Sequence, residues 1–424
     1  MKKSIILLAA LLPAFLFSQD TLTVMHYNIL MYGNFTSWCT SSNNPYLEKT
    51  EHLKTIVDYV QPDILTVNEI SDNEFYHNYL LDNALNVNGI DYYQMGNPSN
   101  LGDSYIVNEI YYNSQKLQLH SYTALQTNVR DIDIFRLYYL TPGLQFTGDT
   151  IFLNCVVAHL KAGQDSDDAY ERGLETNLLM DYLNSTDASG NYLFMGDFNV
   201  YTNAEVAFQN LVNNTNEDIR FYDPIDLMGS WHNNDYYENI HTQSTHTSSG
   251  CPSSGGLDDR FDFILASDEI INGTENIIYI QDSYKAVGQD GLHFNQSLVS
   301  SPTNTSVPED VLDALYDMSD HLPISLKLLL DTAVGISENK ILNFDIDIIN
   351  PVAEKLSIHF SVEKSTKFQI EITSVWGQSV YSGSVSVPSS KTIVIQAQDL
   401  KPGMYLLQVY DEHRNMIVKK ILKD

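Results

Sequence analysis

Apolar positions along this chain follow two different patterns. From about residue 20 to 330, short apolar runs with strand-like length and β-branched or aromatic content recur: TLTVMHYNIL, DILTVNEI, NEIYYN, IFLNCVVAHL, YLFMGDFN and RFDFILAS. Helical spacing is predicted over 47–60, behind Pro45, and over 168–183, which is rich in Leu and Glu. Polar runs at 233–257 and 295–307 predict long surface loops. Strands alternating with helices predict an α/β core whose sheets are covered by helices. No period of about 40 residues points to a solenoid or propeller.

The tail, 341–424, is patterned differently. KLSIHFSV, FQIEITSV, KTIVIQA, MYLLQVYD and MIVKKILK read as short strands, punctuated by Pro351, Gly377, Gly383, Pro388 and Pro402-Gly403. Such spacing predicts a small antiparallel β-sandwich, and no residue set in it has catalytic character. At the other end, Lys2 and Lys3 precede an apolar run over 5–17 and then Ser18. That order predicts a secretory signal peptide, because the run is short of the ~20 residues that span a bilayer. The expected organisation is therefore a signal peptide 1–18, a catalytic domain 19–330, a linker 331–340 and a β-sandwich 341–424. No other run is apolar enough to span, so the mature chain is expected to be soluble and exported, and a monomer.

Charge sharpens the boundary. Residues 20–330 hold 11 Lys and Arg against 43 Asp and Glu, a net −32, whereas 331–424 hold 10 against 11. Such acidity cuts against a basic nucleic-acid surface without deciding the matter, because bound divalent cations can invert a local field. Of the three cysteines, Cys155 lies in an apolar run and is expected to be a buried thiol. Cys39 and Cys251 sit in Ser/Asn/Gly-rich loops and can pair in an oxidising compartment, though spacing alone does not decide it. No Cys/His spacing fits structural zinc.

Candidate chemistry gathers at four strand ends: Asn28 in HYNIL, Glu69 in DILTVNEI, Asp197 and Asn199 in FMGDFN, and Asp320-His321 in SDHLPI. One strand-end Asp is ordinary turn chemistry. Four such ends, closing with Asp-His before an apolar strand, match the needs of phosphodiester hydrolysis. Hard oxygen donors such as Glu69, Asp320 and Asn28 suit Mg²⁺, Mn²⁺ or Ca²⁺. A histidine beside a carboxylate can act as general base, for roughly 10²–10⁴ in rate.

These motifs, in this order over about 20–330, resemble the endonuclease/exonuclease/phosphatase superfamily. Its members include deoxyribonuclease I, the exonuclease III-like repair enzymes, bacterial sphingomyelinases and inositol-phosphate phosphatases. The resemblance implies a four-layer α/β sandwich, two packed mixed β-sheets with outer helices, and an active site at one end. It implies that Glu69 is the principal metal ligand with Asn28 beside it and Asp320 as a second ligand. His321 would contact the scissile phosphate and activate water, with Asp262 of RFDFIL orienting it. Asp197 and Asn199 would lie near the attacking and leaving oxygens. His159 of VVAHLKA would contact phosphate or act as general acid, with Glu109 a candidate carboxylate partner. Asn68 replaces the usual Gln but keeps an amide. Arg172 and Lys161 read as a solvated helix-face charge and a loop charge rather than phosphate contacts.

The stretch HTQSTHTSSGCPSSGGLDDRFDFIL resembles exported bacterial nuclease-like members. No apolar aromatic hairpin of the sphingomyelinase type is present, and Tyr236-Tyr237 reads as a surface loop. The tail, through NPVAEKLSI, VWGQSVYSG and LKPGMYLLQVYDEHRNMIVKKILK, resembles the C-terminal sorting domain of type IX secretion in Bacteroidetes. It implies the type IX machinery as a partner and a secreted or cell-surface location. The function expected is an extracellular nuclease on DNA or RNA. The alternative is a phosphatase or a sphingomyelinase/phospholipase C-type enzyme on a small or lipid phosphoester; a non-enzymatic adhesin is disfavoured by the intact motif set. Truncation at about residue 335 should leave activity in vitro unchanged but stop release or surface display in the native host, measured by fractionating cells. Normal appearance of the truncated chain in the medium would refute the sorting role.

Overall fold

The longest apolar run, DTLTVMHYNILMY, becomes strand β1 (Asp20–Tyr32), buried along most of its length on both faces, as a central strand must be. The structure is a computed structural model and describes residues 20–140, 150–186, 188–330, 344–348, 350–362, 364–374, 379–398, 400–411 and 416–423. The signal peptide and linker expected at 1–18 and 331–340 lie outside the described residues. The chain divides into two compact units, Met1–Thr332 and Ala333–Asp424.

In the first unit the strands continue as β2 (Ile64–Ser71), β3 (Tyr93–Met95), β4 (Ile106–Asn113), β5 (Leu117–Leu125), β6 (Ile132–Tyr139) and β7 (Phe152–His159). They are followed by β8 (Tyr192–Asp197), β9 (Phe221–Tyr222), β10 (Asp262–Ser267), β11 (Ile277–Tyr279), β12 (Lys285–Ala286) and β13 (Ile324–Leu330). The helices are α1 (Tyr46–Val60), α2 (Glu74–Leu80), α3 (Ser166–Ser185), α4 (Val206–Val212), α5 (Asp268–Asn272) and α6 (Glu309–Met318). One sheet runs β11-β13-β1-β2-β4-β3 with β12 on β13, and the other β5-β6-β7-β8-β10-β9.

The strand period of two explains the layering. On β7, Leu153, Cys155 and Val157 face the apolar layer between the sheets, while Val156 and Ala158 face outward to a second layer. That outer layer includes Leu179, Met180 and Leu183 of α3. A third apolar layer joins β1 and β2 to Leu53, Ile56 and Val57 of α1 and to Leu312 and Leu315 of α6. The result is a four-layer α/β sandwich: helices, sheet, sheet, helices. Each fully buried Leu or Ile contributes about 1.5–3 kcal/mol.

Two pairs, β1–β2 and β7–β8, are parallel, and every other pairing within these sheets is antiparallel. Parallel neighbours need a long crossover, here α1 and α3. Each crossover brings two strand C-termini side by side, with Asn28 level with Asn68 and His159 level with Asp197. β10 runs antiparallel to β8 and starts at Asp262 opposite Asp197; β13 runs antiparallel to β1 and starts just beyond Asp320-His321. All four motif ends therefore meet at one end of the sandwich.

The stretch 233–257, expected on the surface, is partly interior. His241, Thr242, Ser244 and Thr245 are buried, and backbone bonds to Asp259, Gly256 and Asp320 satisfy the amides of Thr242, Ser244 and Thr245. Tyr236 is exposed, but Tyr237 is buried with its hydroxyl on Met228 O.

The second unit adds β14 (Phe344–Ile348), β15 (Lys355–Val362), β16 (Thr366–Ser374), β17 (Ser379–Val387), β18 (Lys391–Gln396), β19 (Gly403–Tyr410) and β20 (Met416–Lys423). They form antiparallel sheets β14-β15-β18 and β17-β16-β19-β20 around a core including Ile346, Ile358, Phe360, Phe368, Ile370, Leu407 and Val409. No helix of the described residues is long and apolar enough to cross a membrane.

Gly196 marks the tightest strand approach near the site: a Cβ there would stand 1.9 Å from Ala158 O on β7. Gly196→Ala should destabilise the chain by about 1–3 kcal/mol, the usual penalty for overpacking. An unchanged melting midpoint in calorimetry would mean that the two strands separate freely.

Candidate active site

Asn28, wholly buried at the end of β1, accepts from Leu30 N at 3.0 Å through Oδ1. That bond sets the amide orientation, so Nδ2 donates to both Glu69 Oε1 and Asp197 Oδ2, each at 3.0 Å. Asn28 thus turns nitrogen, rather than a ligand oxygen, to the two carboxylates. Glu69 Oε2 accepts from Met31 N at 3.0 Å. The local backbone is unusual: Leu30, Met31, Glu69 and Asn199 all have positive φ, between 42° and 65°. Left-handed non-glycine residues cost on the order of 1–3 kcal/mol each and persist where surroundings over-determine them.

Asp197 is almost fully buried at the end of β8. Oδ1 accepts from Asn199 N at 3.1 Å, and its own amide donates to Asn68 Oδ1 at 2.9 Å. Asn68 thereby joins the two sheets, and its Nδ2 donates to Asn108 Oδ1 at 2.7 Å. Burial pushes the Asp197 carboxyl up to about 7; His321 opposes this, while Asp262 and Glu69 add to it. Asn199 donates from Nδ2 to Leu160 O at 3.3 Å.

His321 Nδ1 lies 2.7 Å from Asp262 Oδ2 and Nε2 lies 2.7 Å from Gln243 Nε2; in the neutral ring Nδ1–H donates to Asp262 and Nε2 accepts from Gln243. Nε2 also lies 3.6 Å from Asp197 Oδ2. Burial by itself would lower this imidazole's pKa, but Asp262 and Asp197 outweigh it and hold it well above the ordinary range. His159 Nε2 lies 3.5 Å from Asp197 Oδ2 and 3.9 Å from Glu69 Oε1. Burial, then the charges of Arg130, His321 and His26, drive its pKa far down, so His159 is neutral. Behind them His26, pushed by burial to about 4, lies 4.0 Å from Asp262 Oδ1.

Asp320 Oδ2 accepts from Ser253 N at 2.8 Å, while Oδ1 is buried without a hydrogen-bond partner. Glu69, His159 and Asp197 offer ligand atoms that all lie within 4.8 Å of one another. Two carboxylates and an imidazole gathered in this way could hold a hard divalent cation, and the unpartnered Asp320 oxygen is a further oxygen donor at this end of the sandwich.

Several expectations are corrected. Glu109 is not a partner of His159: Oε2 pairs with His77 Nδ1 at 2.8 Å, and Oε1 accepts from Gly96 N and Ile110 N. Alternation along β4 sends Asn108 between the sheets and Glu109 to the α2 side. Arg172 is not solvated. It is buried and forked onto Glu205 Oε2 at 2.9 and 2.7 Å, with bonds to Lys161 O and Gly163 O that hold the loop after β7. Lys161 pairs with Asp168 at 2.6 Å. Cys39 and Cys251 form a disulfide, joining the loop after β1 to the loop carrying Ser253, and Cys155 is a buried free thiol. Gln243 and Ser253 were missed by sequence reasoning. Both lie in the stretch that resembles exported nuclease-like members, but its polar pattern singles out neither residue.

The class of protein is thus an α/β sandwich with an acid- and histidine-lined site at its strand ends, followed by a β-sandwich tail. Residues 350–424 match the family described as secretion system C-terminal sorting domain, so the chain carries an export signal of the type IX kind and is a secreted or cell-surface protein. No curated protein matches the chain in sequence. Solved structures with similarity include a functionally unknown conserved protein from Enterococcus faecalis V583, at 13% identity and TM-score 0.46, covering 73% of this chain and 100% of that one. An endonuclease/exonuclease/phosphatase family protein from Bacteroides thetaiotaomicron matches at 14% identity and TM-score 0.44, covering 74% and 96%. D. rerio TDP2, complexed with single-strand DNA product, matches at 13% identity and TM-score 0.44, covering 73% and 99%.

If the carboxylates bind a cation, Mn²⁺ at a hundredfold excess over its Kd should stabilise the folded chain by about 2.7 kcal/mol. Glu69→Gln should remove most of that shift in melting midpoint. An equal shift in both proteins would place the cation elsewhere.

Proposed function

We propose that the first unit is an exported, divalent-cation-dependent phosphodiesterase whose substrate is nucleic acid, DNA in particular. The observation that carries this reading is the buried Asp262–His321 pair, with His321 Nε2 facing Asp197 beside the Asn28–Glu69 clamp. Asp262 fixes the tautomer of His321 and raises its basicity; in the neutral ring, favoured once a bound cation offsets the charge of Asp197, Nε2 can take the proton of an attacking water. Oxygen of that water bonds to phosphorus as the bond to the leaving oxygen breaks. Neutral His159 presents Nε2 to the same space, where its N–H can hold a phosphate oxygen. In this reading Asp197 and Asn199 act on the water and the leaving oxygen. Glu69 and Asp320 would hold a Mg²⁺, Mn²⁺ or Ca²⁺ ion, which when bound neutralises charge developing on the phosphoryl and leaving oxygens.

Exposed aromatics support a nucleic-acid substrate. Trp38, Tyr105 and Tyr236 are 75%, 79% and 74% exposed. Trp38 lies in the loop after β1, next to the disulfide, and Tyr105 immediately precedes β4 opposite the end of β2. Exposed rings can stack on bases irrespective of sequence, for about 1–3 kcal/mol per base.

The full chain with Mg²⁺ should cleave plasmid DNA, and EDTA should abolish cleavage. His321→Ala should lower the rate by roughly 10²–10⁴ with the fold retained, and Asp262→Asn should also be severe. RNA, sphingomyelin vesicles and bis(p-nitrophenyl) phosphate complete the assay. Hydrolysis of sphingomyelin or the small diester without DNA would overturn the nuclease reading, and full activity in EDTA would overturn the cation dependence.

A further inference from the structure

Two consecutive left-handed residues, Leu30 (φ 42°) and Met31 (φ 50°), turn the chain just before the end of β1. This turn aims Leu30 N at Asn28 Oδ1 and Met31 N at Glu69 Oε2, both at 3.0 Å, so the clamp on Glu69 depends on its shape. The turn's carbonyls point the other way, into the protein. There Lys49 of α1, 2% exposed, donates from Nζ to Ile29 O at 2.8 Å, Leu30 O at 2.5 Å and Asn44 Oδ1 at 2.8 Å. Asn44, 4% exposed, donates from Nδ2 to Leu30 O and Met31 O, each at 3.1 Å. Three acceptors occupy the three N–H bonds of an ammonium group, leaving it no carboxylate partner of its own. A lysine buried to this extent is rare without a charged partner. Burial lowers its pKa to about 7, and the fields of Glu69 and Asp320, on the site side of the turn, oppose that fall and favour the ammonium form.

We propose that Lys49, with Asn44, is a positioning residue for the cation site: it locks the Leu30–Met31 turn so that the Met31 amide and the Asn28 side chain fix the Glu69 carboxylate. The inference rests on reading Glu69 as the principal cation ligand. It predicts that loss of the clamp weakens cation binding rather than the chemical step. Lys49 touches neither the reacting atoms nor the ligand oxygens.

The test uses the full chain as Lys49→Met, which keeps the stem and removes the donors, and as Asn44→Ala, which removes half of the clamp. Hydrogen–deuterium exchange over residues 28–33 is measured in EDTA, Mn²⁺ affinity by calorimetry, and hydrolysis across a Mn²⁺ series. Both variants should exchange at least tenfold faster at Leu30 and Met31 and bind Mn²⁺ at least tenfold more weakly. Their kcat at saturating Mn²⁺ should stay within about threefold of wild type, a split that a merely destabilising change would not produce. Wild-type exchange and wild-type Mn²⁺ affinity in Asn44→Ala would overturn the proposal even if Lys49→Met failed to fold. A wild-type chain that binds Mn²⁺ but hydrolyses nothing would overturn the proposed function and leave this inference standing. A wild-type chain that binds no Mn²⁺ would overturn both.

Discussion

Glu69, Asp197, Asp262 and Asp320 crowd one end of the sandwich nearly out of contact with water, and the surrounding structure is organised to manage their charge. Removing an ionised carboxylate from water costs several kcal/mol after relaxation. Here the cost is offset by backbone amides of Met31, Asn199 and Ser253, by the Asn28 side chain and by His321. The compensation is incomplete, since Asp262 Oδ1 and Asp320 Oδ1 are buried without hydrogen-bond partners and Asp197 is pushed up to about 7. A site in this condition favours a cation, and the left-handed residues of β1, β2 and the loop after β8 are the backbone strain that its geometry requires.

Topology makes such crowding possible. Parallel β1–β2 and β7–β8 pairs each set two strand C-termini together, and antiparallel β10 and β13 begin at that same end. The Cys39–Cys251 disulfide then ties the loop leaving β1 to the loop whose Ser253 amide holds Asp320. Two loops far apart in sequence are thereby kept beside one carboxylate cluster.

The same acidity shapes how a polyanion could approach. A net −32 over 20–330 repels phosphate at long range, but at physiological ionic strength the field is screened beyond ~8 Å. For the proposed function, contact would then depend on short-range groups at the site end and a bound cation, rather than on a basic groove.

Much of this was legible in the sequence. Apolar runs ending in Glu69, Asp197-Phe198-Asn199 and Asp320-His321 are local patterns, and so are the turn-punctuated strands of the tail. The hairpin β5–β6 and helix α6 were not among the predicted elements: β5 is a largely half-exposed edge with a mixed pattern, and α6 is short and acidic. Patterns within a window of consecutive residues determined that an α/β module with strand-end acids precedes a β-sandwich. Only the tertiary structure decided that Glu109 turns to His77, that Arg172 is buried, that Cys39 meets Cys251, that Gln243 meets His321 and that Lys49 meets the Leu30–Met31 turn. The physical reason is sequence separation. Asn28 reaches partners 41, 169 and 293 residues away, and such contacts are chosen by sheet packing and crossover topology, which no local propensity encodes.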